Sequence, residues 1–313
     1  LFRKKYLMKK LIFVFFLGFL HVYVVAQTKK TVVKKHVEYL ASDKLQGRNV
    51  GTKGIEKAAT YIERYFKKNK VKPFFSSYRD TLGNLRKVAF NVVGVVPGTD
   101  EELKNEYVVI GAHYDHIGFK KEANSQDSIA NGANDDASGT AAVLEFAKYF
   151  SKKHTNKRSI IFVLFTAEEM GLLGSEYFAD RLREQNVNVY CMLNFEMIGV
   201  PMKGDAMSYV TGYDMSNIAE VINKKADTKL AGFLPTAKKY QLFKRSDNFS
   251  FYSVFAVPSH TFSTFDFTNF DHYHGVNDEA DQMDYLHMTQ FINQFIPAIT
   301  YVCNETANVV KLK

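Results

Sequence analysis

With 313 residues, 46 % of them hydrophobic, the chain is long enough to bury one large α/β domain or two small ones. The formal charge of +8 is concentrated at the front: residues 1–26 carry five basic groups and no acid, and the 36 basic and 33 acidic residues that follow net only +3, which excludes a nucleic-acid footprint. Two cysteines, Cys191 and Cys303, are too few for a disulfide scaffold and sit in no Cys-rich metal pattern. They read as buried thiols, or as one bridge in an oxidising compartment.

Residues 1–26 end in a basic start, an apolar run from Leu11 to Leu20 and a small-residue exit, Val24-Val25-Ala26. This is a signal-peptide pattern with cleavage after Ala26, and Met8 is a plausible true start. A membrane anchor is the competing reading, but the run is short for a span and no basic stop-transfer flank follows at once. The expectation is a secreted or periplasmic protein with no membrane attachment after cleavage.

Beyond Gln27 a segment from His36 to Leu45 leads into a glycine-punctuated loop, Gln46 to Gly54. An amphipathic helix follows, with Ala58, Ala59, Tyr61, Ile62 and Tyr65-Phe66 on its apolar side. Strands are expected at Ala89–Val96 and Tyr107–Ala112, then a polar loop from Lys120 to Asn131 and a helix over Gly139–Lys152. The β-branched run Ser159–Phe165 reads as a buried strand. A helix over Ser175–Glu184, a strand over Val187–Asn194, a short strand at Tyr209-Val210 and a helix over Ser216–Lys225 come next. Ala256–Thr261 reads as a strand, Phe262–His274 as an aromatic loop, and the last helix starts near Asp284 and passes Pro297. Strands alternating with helices predict an α/β fold with a doubly wound, mostly parallel central sheet and helices on both faces. With no repeat or linker in view, 27–313 reads as one domain.

Polar residues collect after the predicted strands. His113 and Asp115 follow one, Glu168 and Glu169 another, Glu196 a third, and His272 and His274 lie in the loop after a late one. Asp135 lies in Asn131-Gly132-Ala133-Asn134-Asp135-Asp136-Ala137-Ser138-Gly139, just before a helix. In open α/β sheets ligands bind at the carboxyl ends of the strands, which puts these residues on one rim. Two histidines with three carboxylates suit zinc, and suffice for two ions. A pair of ions about 3.5–4 Å apart needs a bridging carboxylate, and Asp135 is the natural bridge. Taken alone, Asp135 could equally be an N-cap and Glu168-Glu169 a helix start. Asp115 is placed to accept the second ring N–H of His113. Of the adjacent glutamates, one can hold metal while the other stays free as a general base. His116 and His272 read as loop or outer groups. Phe262, Phe265, Phe267 and Phe270 either wall a substrate pocket or simply pack, and Asp266 or Asp271 could meet a substrate amine.

The motifs Gly111-Ala112-His113-Tyr114-Asp115-His116, Gly132 to Gly139, Thr166-Ala167-Glu168-Glu169-Met170-Gly171, Asn194-Phe195-Glu196-Met197-Ile198-Gly199 and Tyr273-His274 resemble those of the co-catalytic zinc aminopeptidases. That family includes secreted bacterial leucyl aminopeptidases and aminopeptidase Y, with glutamate carboxypeptidases and glutaminyl cyclases as more distant relatives. Leu40-Ala41-Ser42-Asp43 with Leu45-Gln46-Gly47-Arg48 also resembles its N-terminal helix and loop. The resemblance implies that His113, Asp135 and Glu196 hold one zinc and Asp135, Glu169 and His274 the other. It implies Glu168 as the base, Asp115 as the partner of His113, and a cis Asp135–Asp136 peptide bond. Two positions depart from the family pattern: Glu196 stands where Asp is usual, and Asn248 where His often follows Ser-Asp. The expected function is a two-zinc aminopeptidase acting on peptides with a free N-terminus. The rivals are glutaminyl-cyclase-like or carboxypeptidase chemistry on the same scaffold, with Arg245 as the cation a carboxypeptidase would need, or an inactive binding module.

Overall fold

The computed structural model describes residues 28–313 except Asn84, Asn124 and Asp227. The leader expected over residues 1–26 lies outside the described residues. Two helices, α1 (Lys30–Leu40) and α2 (Lys53–Lys68), precede the strands β1 (Lys72–Pro73), β2 (Arg79–Thr81) and β3 (Phe90–Val96). Next come β4 (Glu106–His113), a hairpin of β5 (Gly118–Phe119) and β6 (Ile129–Ala130), α3 (Gly139–Lys153), β7 (Ser159–Phe165), α4 (Leu173–Glu184) and β8 (Asn188–Phe195). The chain continues through β9 (Ser208–Val210), α5 (Ile218–Asn223), β10 (Ala231–Gly232) and α6 (Pro235–Lys239). It closes with α7 (Asn248–Phe255), β11 (Ser259–Ser263) and α8 (Tyr285–Asn304).

Local chemistry accounts for the helix limits. Thr52 caps α2 by accepting the Ile55 amide, Ala58, Ala59, Ile62 and Phe66 face inward, and Lys67 and Lys68 occupy the last turn, where the helix dipole favours cations. Asp284 caps α8 through the amides of Leu286 and His287, both at 2.9 Å, and Pro297 is accommodated inside that helix. The aromatic stretch after Asp247, left without a type by its sequence, is the helix α7. No described helix is long and apolar enough to cross a membrane.

The main sheet runs β1-β3-β7-β4-β8-β11-β9-β10, with β2 on β3. Its centre, β7-β4-β8-β11, is parallel, while β3 joins β7 and β9 joins β11 in antiparallel fashion. Alternation along β7 sends Ile160, Phe162 and Leu164 to one face and Ile161, Val163 and Phe165 to the other. The first face meets α1, α2, α3 and α8; the second meets α4 and α7 through Phe178 and Phe251. Each such fully buried side chain contributes about 1.5–3 kcal/mol relative to exposure. Cys191 on β8 and Cys303 on α8 are buried and unbridged. Because the four central strands share one direction, their carboxyl ends form a single rim.

Candidate metal centre

The rim is organised around the turn that carries Asp135. Gly132 there has φ +59, and a Cβ would stand 2.2 Å from the Asp135 carbonyl oxygen and 2.6 Å from the His116 ring. The Asp135–Asp136 peptide bond is cis. Asp278 accepts the Asn134 amide at 2.7 Å and the Asp135 amide at 3.0 Å. Beneath the turn lies Arg48, fully buried, whose guanidinium donates to the carbonyl oxygens of Leu40 (2.6 Å), Tyr114 (2.8 Å), Asn131 (2.5 Å) and Gly132 (2.9 Å). The cap of α3 falls to Asp136, whose Oδ1 accepts the Gly139 amide at 2.9 Å, so the Asp135 carboxylate is left to face the cleft.

The same turn braces the exit of β8. Asp136 Oδ1 accepts the Met197 amide (3.0 Å), Ser138 Oγ the Ile198 amide (2.9 Å) and Asn134 Oδ1 the Gly199 amide (2.8 Å). That exit carries Glu196, whose Oε2 accepts a hydrogen bond from the Ser246 hydroxyl.

From the end of β4, His113 points Nε2 at Asp135 Oδ1, 3.1 Å away. Its Nδ1 lies 3.2 Å from the backbone carbonyl of Asp115 and 3.7 Å from that residue's Oδ1. The Asp115 carboxylate is turned instead to the amides of Glu168 (3.2 Å) and Glu169 (3.4 Å), tying the loop after β4 to the loop after β7. His274, at φ +55, places Nε2 3.1 Å from both Asp135 Oδ2 and Glu169 Oε2, and its carbonyl is held by Lys120 Nζ at 2.7 Å.

The structure also brings His116 into this cluster. It is 1 % exposed, with Nδ1 2.8 Å from Glu169 Oε1 and 3.9 Å from Asp135 Oδ2. Its position in the loop three residues after His113 gave no sign of this, because the contact depends on a chain reversal at Gly132 and on Glu169 from another strand. His272 packs instead on Phe270, with ring centroids 5.3 Å apart. Of the four phenylalanines, Phe265 and Phe267 wall a pocket beside Glu196, whereas Phe262 and Phe270 are buried in the main core. The Asp266 carboxylate accepts the amides of Lys203 and Thr268, both at 2.8 Å.

The ligand atoms of His113, Asp135 and Glu196 lie within 4.8 Å of one another, and so do those of His116, Asp135 and Glu169. Asp135 belongs to both groups, and Glu168 to neither. His113 Nε2, although 3.1 Å from Asp135 Oδ1, and His116 Nδ1 and Glu169 Oε1, although 2.8 Å apart, are buried and do not meet their neighbours in hydrogen-bond geometry. Orphaned buried donors and acceptors of this kind are costly unless something else satisfies them. The electrostatics agree. Burial works against a charged His274, but Asp135 and Glu169 outweigh it and push its pKa up to about 10. Burial raises the Glu196 carboxyl to about 7, and raises Glu168 well above the usual range, with the charges of Glu196, Asp247 and Glu169 adding to it. Asp135 is held well below its ordinary value despite burial, by His113 and His274. A buried site with this surplus of carboxylates and unsatisfied imidazole nitrogens fits divalent cations of the zinc type.

A family model described as Peptidase family M28 matches residues 91–299. A probable zinc metalloprotease of Pyrenophora tritici-repentis (strain Pt-1C-BFP) is 27 % identical over 183 residues, covering 54 % of this chain and 41 % of that protein. Aminopeptidase YwaD of Bacillus subtilis (strain 168) is 32 % identical over 126 residues, 40 % of this chain and 25 % of its own length. The chain thus spans well under half the length of these curated relatives. Among solved structures, an aminopeptidase from Aneurinibacillus sp. strain AM-1 superposes with a TM-score of 0.67 at 18 % identity, covering 90 % of this chain and 95 % of the other. A glutaminyl cyclase of Bacteroides thetaiotaomicron superposes with a TM-score of 0.66 at 20 % identity, covering 90 % and 100 %. At these identities the structural likeness is one of fold.

Proposed function

The chain belongs to peptidase family M28, and from that premise we propose that it is a secreted or periplasmic zinc-dependent aminopeptidase that removes the N-terminal residue of a peptide. The observation that carries the reading is Asp135 standing between His113 and Glu196 on one side and Glu169, His116 and His274 on the other, with Glu168 beside Glu169 but outside both ligand groups. His113, Asp135 and Glu196 would hold one zinc, and Asp135, Glu169 and His274 the other, with His116 against Glu169. Zinc bound there would polarise the scissile carbonyl and make water acidic enough to attack near neutral pH.

The chain's own residues supply the rest. Glu168 takes a proton from the attacking water and returns it to the leaving amine. Its buried setting raises its affinity for a proton, which suits a carboxylate that must take a proton and hold it until the amine leaves. Asp115 fixes the backbone at Glu168 and Glu169, so the base and a ligand keep their spacing. The buried walls of the cleft strengthen each of these interactions relative to water.

The test is a metal analysis of the purified protein with a scan of N-terminal amino-acid anilides, with and without a chelator. Two zinc ions per chain, and hydrolysis abolished by chelation and restored by zinc, are expected. Cyclisation of an N-terminal glutamine peptide in place of anilide hydrolysis would replace this reading with a cyclase. Absence of stoichiometric zinc would leave a binding module.

A further inference from the structure

A cavity of about 110 Å³ opens beside Glu196, between the ends of β9 and β11, the segment before α7 and the aromatic loop. Its size admits one side chain. One wall is aromatic, from Phe265 and Tyr273, whose rings stack at 5.4 Å. The remainder is mixed: Met197, Leu242 and Phe267 are apolar, while Tyr209, Thr211 and Ser263 bring hydroxyls. Thr211 Oγ1 accepts the Thr261 amide at 3.1 Å, which leaves its own proton to donate, and that proton has no acceptor among the described residues. The cavity also carries one cation, Arg245.

Arg245 is exposed, and among the described residues its guanidinium enters no hydrogen bond or ion pair. Arg79 is matched to Glu56 and Glu63, Arg158 to Glu106 and Arg181 to Asp80; Arg64 and Arg86, like Arg245, enter no ion pair among the described residues, but of these three only Arg245 lines this cavity. Glu196 is the one acid on the cavity wall, and it is engaged by Ser246 and belongs to a metal-ligand group. The cavity therefore presents a guanidinium and hydroxyl donors with no carboxylate of the protein free to use them.

The apolar and aromatic walls can hold the stem of a side chain, while Arg245 and the free Thr211 hydroxyl can meet a polar tip, an opportunity that leucine would leave unused. A carboxylate would take the planar guanidinium fork in a charge-assisted pair. We infer that the protein prefers peptides beginning with an acidic residue, whose side-chain carboxylate is held by Arg245 in the pocket beside Glu196. The inference rests on the aminopeptidase reading above. The same cation could instead meet the α-carboxylate of a C-terminal residue, so the test separates the two sources.

The zinc-loaded full-length chain is assayed on Glu, Asp, Gln and Leu anilides and on N-acetylated dipeptides ending in Glu. The expected result is kcat/KM for Glu at least about 10-fold above the isosteric Gln and above Leu, from the gain of a charged hydrogen bond. Arg245→Gln should lower the Glu-to-Gln ratio about 10- to 100-fold, and Arg245→Lys should restore part of it. Leu hydrolysed as well as Glu, or a ratio unmoved by Arg245→Gln, overturns the inference and leaves the aminopeptidase reading standing. Cleavage of the acetylated dipeptides moves the carboxylate to a C-terminal residue and overturns it too. Failure on every substrate overturns both readings together.

Discussion

Asp278 holds Asp135 by its backbone. One carboxylate oxygen takes the Asp135 amide at 3.0 Å and the other the Asn134 amide at 2.7 Å, across more than 140 residues of chain. The residue that both ligand groups share is thus positioned by a side chain outside either group. Asp278→Ala would leave two buried amides without acceptors, at a cost of roughly 2–4 kcal/mol. Zinc affinity should also fall by about 10-fold or more, as it does when a group that orients a ligand is removed. Urea unfolding and chelator competition measure the two effects. An unchanged zinc affinity would mean that the turn holds its own shape.

Arg48 makes a second prediction. Its side chain satisfies four buried carbonyls, from Leu40, Tyr114, Asn131 and Gly132. Arg48→Met keeps much of the volume but removes every donor, and should destabilise the protein by roughly 3 kcal/mol or more. Arg48→Lys, with a point charge in place of a planar fork, should recover only part of this. Thermal or urea unfolding of both variants is the check.

Glu168→Gln should keep the fold and the zinc but lose turnover by about 100-fold or more, the scale of a general base. Because Glu168 stands outside both ligand groups, zinc content should match the parent. Full activity in this variant would remove Glu168 from the mechanism.

Metal uptake should release protons. In the metal-free protein burial raises Glu196 to about 7, and Asp135 and Glu169, acting against burial, hold His274 at about 10. Ligation needs the deprotonated form of each. Zinc affinity should therefore rise as pH climbs from 6 toward 8. Calorimetry in two buffers of different ionisation heat reads the protons directly, and equal heats in both would contradict the assignment of these ligands.

A last prediction concerns acid stability. Burial disfavours a charged Glu145, yet His36 (3.4 Å), Lys148 (2.8 Å) and Tyr65 outweigh that and hold its pKa at about 2, against an ordinary 4.5. The folded state thus favours the carboxylate more than the unfolded chain does. Its contribution, roughly 3 kcal/mol, is complete above about pH 4.5 and is lost as pH falls toward 2. Glu145→Gln should flatten the stability profile across that window, as urea unfolding at several pH values would reveal.

Much of this architecture was legible before any coordinates. Apolar runs such as Ser159–Phe165 announce buried strands because burial on both faces leaves no place for polar residues. The rim follows from strand direction alone, which is why His113, Glu168, Glu169, Glu196 and His274 could be gathered from sequence. The direction of β3 was not legible, since an apolar run reads the same either way, and β1 and β2 are too short and polar to announce strands at all. Arg48 and Asp278 were missed as supports because their partners are backbone atoms of distant residues, and backbone atoms leave no mark on a sequence. His116 was invisible as a neighbour of Glu169 for a different reason: the two side chains come from separate loops and meet only after the sheet has formed.

The bracing of the β8 exit by Asn134, Asp136 and Ser138 has a consequence for how such chains diverge. Those three side chains grip main-chain amides at 197–199, so the hold on the segment is independent of its side chains, while burial in the main core keeps Met197 and Ile198 apolar. Gly199 is different, since a Cβ there would stand 2.1 Å from Met283 Sδ and 2.8 Å from Asn134 Oδ1. Sequence drift should be limited to apolar exchange in the middle of that segment and stall altogether at Gly199 and at the residues that hold it.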